Sequence, residues 1–267
     1  MAIITISRGS FSHGRDVAEM VSEELGYQCV GREMILEASR EFNIPDIRLE
    51  RAIHDAPSIL DSFTYGRERY IAYFEAAFLK YLKRDNVVYH GLAGHFFLKG
   101  VAHALKVRII ADPEERAGLE AARENISPEA ALKMLKKDDQ ERQKWSKSLY
   151  GIDTGDSSLY DLVIHIRKIG KKEAAEIICH TAGLENFQTT YDSQKALENL
   201  AMAAEVKAAL IDLKPDLRVT AANGNVRIET KNADNPEILA EMQEIARRVP
   251  GVENVEIKFI RKVDWTD

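Results

Sequence analysis

"ISRGSFSHGRDVA", Ile6 to Ala18, joins a short apolar run to a segment with helical periodicity. Within it Gly9-Ser10-Phe11-Ser12-His13-Gly14-Arg15-Asp16 has the layout of a phosphate-cradling loop. The usual form ends in Gly-Lys-Ser or Gly-Lys-Thr, where the Lys reaches the terminal phosphates and the hydroxyl meets magnesium. Here those two places hold Arg15 and Asp16. Gly9, Ser10, Ser12 and Gly14 are small enough for the backbone to curl round an anion. The helix that follows offers unpaired N–H groups and the positive end of its dipole. The eight residues, Phe11 and His13 included, are therefore the candidate nucleotide-phosphate site. Arg15 is the candidate cation for the terminal phosphates. Asp16 is either a magnesium contact made through water or a helix cap. A plain strand-to-helix turn is the alternative.

The bulk composition bounds what such a site can serve. The chain has 267 residues, 45% hydrophobic and 30% charged, the balance of a globular protein with one large domain or a large and a small one. No apolar run approaches the roughly 18 residues needed to span a membrane. The N-terminus Met-Ala-Ile-Ile-Thr has neither the basic region nor the cleavage site of a secretory signal. The two cysteines, Cys29 and Cys179, both stand in apolar contexts, which predicts a reduced, cytoplasmic chain with two core thiols. A net charge of −6 argues against generic nucleic-acid binding, so an anion site must be a local cluster of basic groups.

Apolar runs at Ala2–Ile6, Tyr27–Val30, Asn86–His90, Lys106–Ala111 and Tyr160–Ile166 alternate with helical segments. Most of these runs lack polar alternation, as strands covered on both faces do. Val17, Met20, Val21 and Leu25 stripe one helix before Gly26. Ile71, Phe74, Phe78, Leu79 and Leu82 stripe a second, and Pro113-Glu114-Glu115-Arg116 opens a third. The alternation predicts an α/β fold with a parallel sheet flanked by helices. From about Thr181 the pattern changes. Gly183–Ser193 is polar and irregular. Then come a helix over Lys195–Asp212, strands Leu217–Ala221 and Asn225–Thr230 around Ala222-Asn223-Gly224, a helix from Pro236 to Arg248 and a strand Asn254–Ile260. That is a small α+β region of order α-β-β-α-β, with an Asn-Gly hairpin turn.

"ITISRGSFSHGRDVAEMVSEELGYQCVGREMILEAS" resembles the opening of the cytidylate-kinase-like proteins, and "VVYHGLAGHFFLKG", "KVRIIADPEERAG", "DQERQKWSKSLYG" and "YDLVIHIRKIGKKEAAEIICHTAG" follow that family in order and spacing. The resemblance covers residues 1–182 and implies a P-loop nucleoside-monophosphate kinase fold, ATP and Mg2+ as donor, and CMP or dCMP as acceptor. Arg often replaces the loop Lys in this family. The chain departs from it at Phe11 and His13, where Gly is common, at Gly31, where Asp is usual, and at Leu92, where many members have Arg. Residues 195–262 resemble a BON-type module, a class described as binding or interaction domains. The resemblance implies a protein or small-molecule ligand there; the polar, irregular composition before it predicts a linker over 183–194.

Phosphoryl transfer is chiefly positioning and charge stabilisation, so cations are the groups to look for. In "DQERQKWSK", Asp139, Arg142 and Trp145 recur at three-residue spacing on one helix face. Arg142 is the first candidate for closing over the transferring phosphoryl group and Lys147 the second. A solvated charged helix is the plainer reading. Arg32, Arg48 and Arg51, between the second and third strands, are candidates for the acceptor phosphate, together with His54 nearby. His90, His95 and His103 have spacings that fit no common metal ligation on a helix. Three functions are compatible with these residues: a nucleoside-monophosphate kinase, a nucleotide-binding regulatory protein with a degenerate kinase site, and a kinase of another small molecule.

Overall fold

The first apolar run forms β1 (Ile3–Arg8), with every side chain from Ile3 to Ser7 buried. A run of that kind belongs inside a parallel sheet. It lies at the centre of one, ordered β2 (Gln28–Gly31), β3 (Val87–His90), β1, β4 (Ala104–Ala111), β5 (Leu162–Ile166), with every neighbouring pair parallel. The computed structural model describes residues 2–9, 12–31, 66–91, 94–231 and 235–259, with only the backbone at Arg67, Trp145 and Leu149.

Helix α1 (Gly14–Leu25) follows β1 and stops at Gly26, whose φ of 67° lets its N–H turn back onto Glu23. After α2 (Gly66–Leu82) and β3 come a 3₁₀ turn, Gly94–Leu98, and then β4. Helices α3 (Pro113–Glu124) and α4 (Pro128–Tyr150) form a hairpin, each opening on a proline, with Ser127 capping the second through the N–H of Ala130. After β5, α5 (Lys171–Ala182) packs beside α1. Val17 and Val21 of α1 and Ile178 of α5 close over Ile4, Ile6, Leu105, Val107 and Ile109 on one face of the sheet. The chain leaves β1 towards β2 on one side, and β4 towards β5 on the other. A crevice therefore opens at the carboxyl ends of β1 and β4. Both cysteines are free thiols. Burial, with Glu24 nearby, pushes the Cys179 thiol up to about 12, and burial raises Cys29.

By their contacts the described residues divide into two compact units, 2–31 with 84–193, and 66–83 with 194–259. The expected α-β-β-α-β order is present as α6 (Tyr191–Leu210), β6 (Arg218–Ala222), β7 (Asn225–Thr230), α7 (Pro236–Arg247) and β8 (Asn254–Phe259). The hairpin turns at Asn223 and Gly224, both at positive φ, and β8 joins β7 in parallel after the α7 crossover. Val206, Leu210, Val226, Ile228, Met242 and Ala246 form its core. Arg227 and Glu256 pair across the open face.

Two features differ from the linear reading. The stretch read as a linker carries ordered structure: Gln188 donates to Ala182 O at 2.9 Å and Thr189 to Asp85 Oδ2 at 2.6 Å. Helix α6 starts at Tyr191, four residues before the expected Lys195, because Thr190 and Ser193 exchange backbone-to-hydroxyl bonds of 2.9 and 3.1 Å. Helix α2, expected to belong to the first domain, lies in the second unit. There Arg69 and Tyr73 reach Asp212, at 2.7 and 3.3 Å, and Gln194 donates to Lys83 O at 3.2 Å. Among the described residues no helix is long and apolar enough to cross a membrane.

Candidate functional site

The loop after β1 is pinned from below. Ser12, 1% exposed, donates its hydroxyl to Gly9 O and to Ile109 O, at 3.1 and 3.3 Å, which ties the turn to the end of β4. Gly14 is required by close approach. A Cβ there would stand 2.7 Å from Cβ of Arg8, whose side chain crosses the helix start. His13 holds the N-cap in the left-handed region at φ 63°, a conformation costing a β-carbon residue roughly 1–2 kcal/mol. Its ring lies between two carboxylates, 3.6 Å from Asp16 and 3.6 Å from Glu115 of α3. Ser10 and Phe11 lie outside the described residues.

A cavity of about 310 Å³ opens over this loop, at the crevice between β1 and β4. Four arginines from four elements line it: Arg8 of β1, Arg108 of β4, Arg116 of α3 and Arg142 of α4. Two carboxylates, Asp139 and Asp153, stand with them. Arg116 is 8% exposed and holds Asp139 through Nη2 at 2.8 and 3.0 Å. Its guanidinium would lie 3.5 Å from a Cβ on Gly9, so the ion pair links α4 to the neighbourhood of the loop. Asp153 accepts from the Gly155 N–H at 2.8 Å and from the Gln143 amide at 3.1 Å, and these bonds hold its carboxyl below the usual range. Together these groups give a cavity with a surplus of positive charge, suited to a polyanion.

The structure brings Gly9, Ser12 and Arg142 of the expected set into one cavity. Gly14 and His13 frame the helix start beside it. Arg15 points along α1, where Nε pairs with Glu19 at 2.8 Å. Asp16 accepts from Lys171 Nζ of α5 at 2.8 Å, and that bond is the chief reason its carboxyl is depressed. Lys147 is exposed on α4 and does not line the cavity. Arg32, Arg48, Arg51 and His54 lie outside the described residues, as does Leu92. Arg8, Arg108, Arg116 and Asp153 were missed by sequence reasoning. For Arg108 a signal existed: Lys106 and Arg108 alternate within an otherwise apolar strand.

His95 and His103 are buried packing residues. His103 Nδ1 meets Ser193 Oγ at 2.8 Å. His95 stacks obliquely between Phe96 and Tyr160, with ring centroids 4.2 and 4.7 Å away. Burial, then the charges of Lys106 and Arg108, hold it down to about 3. Among the described residues no group of three metal-ligating side chains converges.

A parallel five-stranded sheet with a glycine-rich loop after its central strand, facing arginines from β4 and the helices beyond it, is a P-loop kinase-type fold. Residues 3–168 match the model of the cytidylate kinase-like family, and the chain belongs to that family. It is 40% identical over 88 residues to a cytidylate kinase of Methanocaldococcus jannaschii, a match covering 32% of this chain and 49% of that one. It is 25% identical over 189 residues to a cytidylate kinase of Sulfolobus acidocaldarius, covering 70% and 97%. The first of these matches thus spans about half of the relative's length. Among solved structures, one of an uncharacterized protein from Eubacterium ventriosum shares the fold at a TM-score of 0.53 and 20% identity, over 68% of this chain and 98% of that one.

Proposed function

We propose that this chain is a nucleoside-monophosphate kinase that binds ATP over the loop Gly9–Asp16 and transfers its γ-phosphoryl group to a cytidine monophosphate. The observation that carries the reading is the convergence of Arg8, Arg108, Arg116 and Arg142 on one cavity above the loop. A phosphate oxygen of the acceptor forms the new P–O bond as the β–γ bridging bond breaks, leaving ADP. Charge spread over the transferring group is then met by the guanidinium groups, which count for more where water is excluded. Arg142 is the group assigned to the transferring phosphoryl. Arg15 would exchange Glu19 for a β- or γ-phosphate oxygen, and Lys147 would assist from α4. The family membership supports CMP or dCMP as acceptor, with Arg32, Arg48 and Arg51 as candidates for its phosphate.

The donor set fits magnesium as a companion of the nucleotide rather than a resident ion. Asp139 and Asp153 are already paired, and Asp16 carries the Lys171 ammonium. The ion would be held mainly by phosphate oxygens and water, with Asp16 reached through water at most. For residues 195–262 we propose a BON-like interaction module, on the element order α-β-β-α-β.

The test is CMP- and dCMP-stimulated ADP release by the wild type and by Arg142→Ala. A contact made mainly in the transition state predicts that the variant loses about 100-fold in turnover while ATP affinity changes less than about 3-fold. Stimulation by AMP or GMP but not by CMP would discard the acceptor and keep the kinase. ATP binding without stimulation by any monophosphate would favour the nucleotide-binding regulatory reading.

A further inference from the structure

Inner strands of parallel sheets are usually apolar on both faces. β4 obeys that rule on one face, where Leu105, Val107 and Ile109 are fully buried, and breaks it on the other with Lys106 and Arg108. A charge placed there is costly unless something satisfies it. Arg108 is held by neutral groups rather than by an ion pair. Its Nη1 donates to Thr154 O and, at 3.1 Å, to the Tyr160 hydroxyl, both uncharged oxygens. The hydroxyl of Tyr160 in turn reaches Thr154 O at 3.0 Å and Ser7 Oγ at 3.2 Å. The Tyr160 ring lies 5.5 Å from the guanidinium carbon. Among the described residues no carboxylate comes within ion-pair distance of Arg108, whereas Arg116 in the same cavity has Asp139. The charge of Arg108 is also felt by two neighbours: it helps to hold the Asp153 carboxyl down and, after burial, the His95 ring.

We propose that Arg108 is a phosphate-contacting residue: one edge of its fork is fixed by Thr154 and Tyr160, and the other faces the cavity to bind an oxygen of a polyphosphate chain. The inference rests on the reading of the cavity as a polyphosphate site and adds to it a residue that touches the ligand. The bonds to Thr154 and Tyr160 set the rotamer before the ligand arrives, so little side-chain entropy is lost on binding. They also explain why the cation is an arginine: one fork both anchors to neutral oxygens and presents further donors, which a lysine ammonium does less well.

The experiment titrates inorganic tripolyphosphate into the full chain by calorimetry at several salt concentrations, with a thermal melt of each variant. Arg108→Gln keeps a side-chain donor for Thr154 O and removes the charge. It should weaken binding about 10-fold and flatten the salt dependence. Tyr160→Phe removes an anchor and no charge, and should weaken binding by less than about 3-fold. If Arg108→Gln does not fold, Arg108→Lys serves instead: it should keep the salt dependence and lose part of the affinity. Equal affinity in wild type and Arg108→Gln, or in wild type and Arg108→Lys where that variant stands in, would overturn the assignment and leave the polyphosphate site intact. Equal losses in the charge-removing variant and Tyr160→Phe would make Arg108 a scaffold residue. No binding by the folded wild type would overturn both the cavity reading and this inference.

Discussion

A histidine at 5% exposure with no partner on Nε2 is a proton site that the folded chain refuses to use. The His95 ring is held down to about 3 by burial and by Lys106 and Arg108, below its ordinary value of 6.5. Between those two pH values the unfolded chain binds a proton that the folded chain does not. Stability is therefore undiminished above 6.5 and falls as the pH drops towards 3, by about 1.4 kcal/mol per unit for this one group. Urea melts of wild type and His95→Gln at pH 7, 6 and 5 read it directly, since the variant lacks this titration. The wild type should lose ground to the variant with each step down in pH. A constant difference would show that His95 titrates alike in both states. The same scale explains what the sequence could and could not reveal at the site. The Arg15–Glu19 pair is a four-residue helical spacing and was open to reading. The Asp16–Lys171 pair joins residues 155 apart, and the burial of His95 under Tyr160 depends on the fold. Arg142, which lines the cavity, was open to reading because three-residue spacing on one helix places it on the face of Asp139. Arg8, Arg108 and Arg116 come from separate elements, and only the sheet order brings them together.

Elements were more legible than their ends. Each expected strand of the larger sheet is present within about two residues at either end, because buried parallel strands announce themselves as apolar runs. The Asn223-Gly224 hairpin was legible from the positive φ that its turn demands. The start of α6 was not, because its cap is written in hydroxyls inside a polar stretch. Thr190 and Ser193 each accept from the other's N–H, as a capping box does, and Ser193 Oγ also meets His103 Nδ1. The polar composition that reads as a tether is thus the composition of a helix start. Ser193→Ala removes both the cap bond and the partner of a fully buried imidazole. Its expected cost is about 1–2 kcal/mol of unfolding free energy, seen as a lower urea midpoint with unchanged slope. A change below about 0.3 kcal/mol would show that α6 starts equally well without it.

At the scale of the molecule, each of the two compact units is made from two separate stretches of the chain. Helix α2 comes before β3 in the chain, yet groups with 194–259. Its stripe of Tyr70, Phe74, Phe78, Leu79 and Leu82 is buried, and the rings of Tyr70, Phe74 and Phe78 follow one another at 6.1 and 6.0 Å. Four of these five were legible as an apolar helix face; the sequence stripe had Ile71, which is half-buried, where the structure buries Tyr70. The companions of that face were not, since periodicity says that a face is covered and not by what. The polar contacts identify α6 and its end as neighbours: Arg69 and Tyr73 meet Asp212, and Lys83 meets Gln194. The half-buried Glu75 carboxyl is raised by desolvation and lowered by the Lys207 charge. An independently folding 1–182 region would have to cover α2 with nothing from α6. We expect the opposite outcome. A fragment ending at residue 182 should melt at lower temperature than the full chain and bind a hydrophobic dye, because the α2 face and the carboxyl of Glu75 lose their partners. A fragment ending at residue 193 restores the bonds of Thr189 to Asp85 and Ser193 to His103, and should recover part of the melting temperature without abolishing dye binding. A cooperative transition at the full-length temperature, with no dye bound, would show that the first 182 residues cover α2 unaided. The C-terminal region would then be a separate module joined by its chain alone.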